Sequence, residues 1–193
     1  MEKIDNTVWE KIAEAPLAYH SVGREMPESY FIRVADHICQ NLEISADHNL
    51  ADIGCASGMI TKFLSTKARS CVGVDFSMPL IKLANEHNCF DSMNYCVGEG
   101  AKIPLKDNWA DRVNCYGVFL LYPSYLYVLE SVKELSRICK PGGKIFIGDI
   151  TNIKKKRRYT WDRLTPYRKI RKVIGLFIPI KLNFWIRKNF PNL

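Results

Sequence analysis

The stretch Asn49-Leu50-Ala51-Asp52-Ile53-Gly54-Cys55-Ala56-Ser57-Gly58 constrains the fold more than any other part of the chain. It begins as a short apolar run, carries an acid near the end of that run, and turns through two glycines before helical spacing resumes at Ile60, Phe63 and Leu64. That order predicts a strand, a tight glycine turn and a helix N-terminus. Such a turn aims backbone N–H groups and the positive end of a helix dipole at a ligand, and glycine permits the close approach that a Cβ would block. Asp52 suits a cationic or hydrogen-bond-donating group, which a pyrophosphate is not. The turn therefore reads first as a nucleoside site and second as a dinucleotide site.

The pattern that follows alternates between strand and helix. Strands are expected at Asn49–Ile53, Ser70–Val74, Met93–Val97, Val113–Gly117 and Lys144–Ile150, and helices at Met59–Lys67, Pro79–His87 and Leu126–Cys139. This βαβα order predicts an α/β fold, a doubly wound and mostly parallel sheet between two helical layers, with ligands beyond the carboxyl ends of the strands. Upstream, Tyr30, Phe31, Val34, Ala35 and Ile38 have helical spacing, and the punctuated segment from Ala18 to Pro27 reads as a loop. Three regions result: a helical cap over 1–47, a core over 48–150 and a tail over 151–193.

The strand ends carry the chemistry. Asp75 closes the second strand, 23 residues after Asp52, where a carboxylate can accept both hydroxyls of a ribose. Nicotinamide enzymes and nucleoside-cofactor methyltransferases share that feature. The turn itself separates them, because it departs from the dinucleotide G-x-G-x-x-G pattern at Ala56 and at Gly58. After the third strand, Gly98-Glu99-Gly100-Ala101 sets an acid beside small residues, an arrangement suited to the amine and the flat ring of a purine.

With these motifs in order, the sequence resembles the class I S-adenosylmethionine-dependent methyltransferases. The resemblance rests on Ala51–Gly58, Gly73-Val74-Asp75-Phe76-Ser77, Gly98–Ala101, Ala110-Asp111-Arg112-Val113 and Lys140-Pro141-Gly142-Gly143, and covers about residues 48–150. It implies a Rossmann-like fold and S-adenosylmethionine as cofactor. Asp52 would lie near the methionine amino group, and Gly54, Cys55, Ala56 and Gly58 would line the methionine and ribose. Asp75 would take the ribose hydroxyls, Glu99, Gly100 and Ala101 the adenine, and Phe76 and Tyr116 would complete the cofactor site. Ala56 stands where the family usually has glycine. The family's sheet normally closes with an antiparallel hairpin after the fifth strand; either those strands lie in residues 151–193 or, the reading favoured here, the hairpin is missing or divergent.

The acceptor is less legible. After the fourth strand the chain lacks the Asp-Pro-Pro-Tyr or Asn-Pro-Pro-Tyr signature associated with amino-group methylation. The aromatic residues Tyr116, Phe119, Tyr122, Tyr125 and Tyr127 either line an acceptor pocket or belong to the core. His20, in the segment before the first strand, is the candidate general base, against the plainer reading of a loop histidine. These features favour O-methylation of a small-molecule, sugar or lipid-linked acceptor. The competing readings are a non-catalytic binding module at a membrane surface and an RNA methyltransferase.

Charge bears on that choice. Residues 1–150 carry 15 Lys and Arg against 19 Asp and Glu, a net of −4, whereas residues 151–193 carry 13 against 1, a net of +12. The tail combines Lys154-Lys155-Lys156-Arg157-Arg158 with apolar runs that Pro179 and Lys181 interrupt, too short to span a bilayer. It suits an anionic membrane surface, nucleic-acid phosphates as a lesser alternative, or simple packing on the sheet. The seven cysteines are scattered and form no Cys-x-x-Cys pair, so free thiols are expected and no metal site is. The charged start Met1–Asn6 has no apolar run after it, which points to the cytoplasm, with peripheral attachment to a membrane as an option.

Overall fold

The computed structural model describes residues 12–14 and 26–150. His20 and the tail from residue 151 lie outside them, as does any hairpin that the tail would contribute.

The first long element is α1, Glu28–Leu42, whose Phe31, Val34, Ala35, Ile38 and Leu42 recur on one buried face. Glu43, in the left-handed region at φ 50°, ends it. The core then alternates: β1 Asn49–Ile53, α2 Thr61–Ser65, β2 Ser70–Asp75, α3 Met78–His87, β3 Met93–Val97, β4 Ala110–Tyr116, a 3-10 turn Phe119–Leu121, α4 Tyr125–Ile138 and β5 Cys139–Gly148. All five strands are parallel, in the order β3-β2-β1-β4-β5. This is a Rossmann-like sheet, with β1 at the switch point where the chain stops building towards β3 and starts building towards β5.

Strand periodicity divides the core into two layers. Leu50, Cys71, Met93 and Tyr95 face α1, α2 and α3 through Ile38, Leu64, Ile81 and Ala84. Ala51, Ile53, Val74, Val113 and Cys115 face α4 through Val128, Val132, Leu135 and Ile138. Alternate residues of one strand thus serve opposite layers, as the pleat requires.

Two elements differ from the sequence expectation. The helix expected at Met59–Lys67 is confined to Thr61–Ser65, where the hydroxyls of Ser65 and Thr66 donate to the carbonyls of Lys62 and Phe63 and compete with helix continuation. The stop expected at Lys140–Gly143 lies inside β5. Ala110 pairs with Cys139 and Arg112 with Lys144, so two steps along β4 face five along β5 and the Pro-Gly-Gly segment loops out between them. Gly142, at φ 78°, supplies the turn.

Leu135, 1% exposed, is a central contact of α4 with the sheet. Leu135→Ala should cost about 2–5 kcal/mol, the range for a truncated core leucine. A urea unfolding curve should show a lower midpoint at unchanged slope.

Candidate active site

The carboxyl ends of β1 to β4 open onto a cleft of about 620 Å³ of empty space, counting its solvent mouth. Ile53, Gly54 and Ala56 come from the β1 end, Asp75 and Phe76 from the β2 end, and Gly98 and Gly100 from the loop after β3. Tyr116, Gly117, Val118, Leu121 and Tyr122 come from the segment after β4.

The β1 turn is held by its own backbone. Gly54 and Cys55 N–H both donate to the Val74 carbonyl, at 2.7 and 3.2 Å, and Gly58 N–H donates to the Cys55 carbonyl at 2.9 Å. Gly54 and Gly58 both take φ 80°, and a Cβ on either would run into a neighbour: the Val118 side chain at Gly54, the Tyr95 hydroxyl at Gly58. These glycines answer both a backbone and a packing demand. Ala56 adopts φ 49°, a left-handed conformation that explains why glycine suits the position. Behind the turn, Asn88 Nδ2 donates to the Ser57 carbonyl at 2.8 Å, and the Tyr95 hydroxyl donates to the Asn88 carbonyl at 2.9 Å.

The turn converges on Asp75. Ala56 N–H donates to Oδ2 and Ser77 N–H to Oδ1, each at 2.9 Å. The side chain is 6% exposed, and burial pushes its carboxyl up to about 6 despite those two bonds, with the neighbouring Asp52 adding to the rise. Phe76 N–H is a further, weaker donor, and a carboxylate has about four lone-pair sites, so capacity remains for a hydroxyl donor. Asp75 is the only Asp, Glu, Lys, Arg or His side chain on the described cleft wall. A wall with one carboxylate and no cation suits a cationic, hydroxyl-bearing nucleoside and offers a phosphate nothing.

The sequence-predicted residues divide between that wall and its support. Gly54, Ala56, Asp75, Phe76, Gly100 and Tyr116 lie on the wall; Asp52, Cys55, Gly58, Glu99 and Ala101 do not. Asp52 is 3% exposed and is held between two side chains, Thr61 Oγ1 donating to Oδ2 at 2.5 Å and Asn114 Nδ2 donating to Oδ1 at 2.7 Å. Burial raises its pKa, against the two hydrogen bonds. It thereby ties the β1 end to the first turn of α2 and to β4. The Cys55 thiol is buried against the sheet and inert, its pKa pushed well up by burial. Glu99 accepts from the Tyr127 hydroxyl at 3.3 Å, and its backbone carbonyl accepts from Lys102 N–H at 2.9 Å in an isolated antiparallel β-bridge. All seven cysteines are unpaired.

Sequence reasoning missed Thr61, Asn114, Asn88 and Tyr95, which brace the site from 7 to 62 residues away along the chain. No local pattern marks such pairings. It also left the wall residues Val118 and Leu121 unassigned, although both fall in the segment after the fourth strand that it singled out.

A parallel sheet with a nucleoside-type cleft at its switch point defines a nucleotide- or nucleoside-cofactor enzyme, and comparison with known proteins settles which. The chain belongs to the methyltransferase-domain family, whose model matches residues 51–147. Among curated relatives, "Probable tRNA methyltransferase 9B" of Bos taurus is 27% identical over 122 residues, which are 62% of this chain and 25% of that protein. Demethylmenaquinone methyltransferase of Corynebacterium glutamicum is 24% identical over 113 residues, 58% of this chain and 46% of that one. The chain thus spans between a quarter and a half of the length of these relatives. Among solved structures, a candidate S-adenosyl-L-methionine-dependent methyltransferase of Methanococcus maripaludis shares the fold with a TM-score of 0.65 at 20% identity, over 98% of this chain and 84% of that one. Residues 51–147 form a methyltransferase domain.

Thr61 is fully buried, so Thr61→Val keeps the shape and leaves Asp52 one donor short, a loss of about 1–3 kcal/mol. The folded-state pKa of Asp52 already lies above its unfolded value and should rise further in the variant. The contribution of this carboxyl to stability is then fullest in acid and is lost as pH rises through the folded pKa. Denaturant titrations should therefore find the variant furthest below wild type at neutral pH and closer to it in acid.

Proposed function

We propose that this protein transfers the methyl group of S-adenosylmethionine to a hydroxyl of a small-molecule, sugar or lipid-linked acceptor. The observation that carries this reading is the cleft itself: one buried carboxylate facing an otherwise apolar and aromatic wall. The cofactor supplies a methyl group activated on a sulfonium. The chain's part is to hold donor and acceptor in line and to keep water out.

Asp75 is positioned to accept ribose hydroxyls, and the Gly54 and Ala56 turn to lie along the same group. Gly98 and Gly100 line the wall on which a flat ring would lie, with Phe76 beside them. Tyr116, Val118, Leu121 and Tyr122 form the side from which an acceptor would approach, and their apolar surface suits a hydrophobic or sugar-ring acceptor. An acceptor hydroxyl must also lose a proton. Asp75 is already committed to backbone donors, so we assign the base role to His20, outside the described residues, or to the acceptor's own surroundings.

A second reading has a specific observation in its favour. The likeness to a tRNA methyltransferase and the +12 charge of residues 151–193 support an RNA acceptor. Transfer of a radiolabelled methyl group to lipid, glycan and RNA fractions of a cell extract decides between them. Label in RNA alone would overturn the small-molecule reading. Incorporation that survives His20→Ala would remove the histidine from the reaction.

Cofactor binding has its own signature. Asp75→Ala removes charge-assisted hydrogen bonds worth about 1.5–3 kcal/mol each, so affinity for S-adenosylmethionine should fall about a hundredfold or more in calorimetric titration. The free-protein pKa of Asp75 is about 6, and hydroxyl donors favour the ionised form, lowering that pKa in the complex. Affinity should hence be flat above about pH 7 and weaken on acidification, by about tenfold at pH 5 relative to pH 7.5. Asp75→Asn should flatten the profile.

A further inference from the structure

We propose that Arg137 and Glu134, in the last turns of α4, are positioning residues that fix the base-facing edge of the cleft and so set its selectivity for an amino-purine cofactor. This role rests on the methyltransferase reading and adds to it the residues that tune one part of the cofactor site.

Among the described residues, every crossover between consecutive strands carries a helix except the one from β3 to β4. Residues 98–109 form neither helix nor strand, so their backbone groups must find partners elsewhere. The end of α4 supplies them. Ile103 N–H donates to Glu134 Oε2 at 2.8 Å. Arg137 Nη2 donates to the Ile103 carbonyl and Nη1 to the Leu105 carbonyl, each at 2.8 Å, and Nη1 also donates to Asp107 Oδ1 at 2.7 Å. The Arg137 carbonyl in turn accepts from Asn108 N–H at 2.9 Å. Glu134 holds the guanidinium from its own helix, accepting from Nε and Nη2 at 2.7 and 2.8 Å. A planar fork of fixed donors can span two carbonyls and two carboxylates in this way, which the single ammonium of a lysine cannot.

The clamped loop begins as cleft wall. Gly98 and Gly100 line the cleft, and Ile103 stands three residues beyond Gly100. Gly98 N–H donates to the Asp75 carbonyl at 2.9 Å, and Lys102 N–H closes a turn onto the Glu99 carbonyl at 2.9 Å. The wall segment is thus held between two anchors, the end of β2 and the Glu134–Arg137 pair. The first anchor is the residue that would take the ribose. The second then decides where the edge beside the base stands relative to that ribose. Arg137 is 31% exposed and Asp107 70%, and an ion pair that open adds little stability. The pair therefore counts through the geometry it imposes. A site whose polar groups are held in fixed places rejects a base in which donor and acceptor are exchanged.

The test is calorimetric titration of the full chain with S-adenosylhomocysteine and with S-inosylhomocysteine, which share ribose and amino acid and differ only in the base. Wild type should prefer the adenosyl ligand by at least about tenfold. Arg137→Lys keeps the charge and loses the fork, and should bring the preference to about threefold or less, chiefly through weaker binding of the adenosyl ligand. Glu134→Gln should shift the preference in the same direction, and decides the matter if Arg137→Lys fails to fold. Leu135→Ala, a core truncation on the same helix, should lower the thermal midpoint and keep the wild-type preference. A purely structural clamp would weaken both ligands alike in Arg137→Lys and Glu134→Gln. That result, an unchanged preference, or an equal loss of preference in Leu135→Ala would overturn the assignment. Wild type that binds both ligands equally would overturn it too and leave the methyltransferase reading standing, whereas wild type that binds neither would sink both.

Discussion

Two carboxylates, Asp52 and Asp75, are buried at neighbouring strand ends and are held by neutral donors alone. Burying a charge is costly unless donors replace its water, and the local structure can be read as the supply of those donors. Asp52 draws on Thr61 in α2 and Asn114 in β4. Asp75 draws on the backbone N–H groups of Ala56 and Ser77 and, more weakly, of Phe76. Presenting the Ala56 N–H requires a backbone that passes through positive φ at residues 54, 56 and 58. The glycine turn and the ties from Asp52 to α2 and β4 serve one electrostatic requirement.

The two acids have different parts because their donors differ in kind. Side chains close Asp52 off, so it braces the strand end and stays away from the cleft. Asp75 instead lines the cleft and is held by backbone donors, and burial pushes its carboxyl up to about 6.

The aromatic segment after β4 shows how one stretch can serve two ends. Phe119, Tyr122 and Tyr127 are buried and stack on one another, with centroids 5.1 and 4.8 Å apart. Tyr116 and Tyr122 reach the cleft wall, and Tyr125 is half exposed at its rim. Core and pocket were competing readings of these residues, and the segment divides between them. The split follows from the 3-10 turn at Phe119–Leu121, which rotates successive side chains to different sides.

Much of the fold was legible in the residues. Short apolar runs bounded by glycine-marked turns locate all five strands, because a parallel sheet covered on both faces buries successive residues of a strand. The same logic brought out Gly54, Ala56, Asp75, Phe76, Gly100 and Tyr116 as one set, and the structure puts all six on the cleft wall. Other features depended on long-range contacts. Thr61 and Asn114 as partners of Asp52, the Asn88–Tyr95 brace, and the exclusion of Asp52 and Glu99 from the wall arise where distant segments meet. A hydrogen bond between residues 62 apart leaves no periodic trace in either neighbourhood. By itself, then, the sequence determined the layer order and the motif set, since both follow from local pattern. Only the tertiary structure decided which acid lines the cleft, because that depends on where the neighbouring donors come to rest.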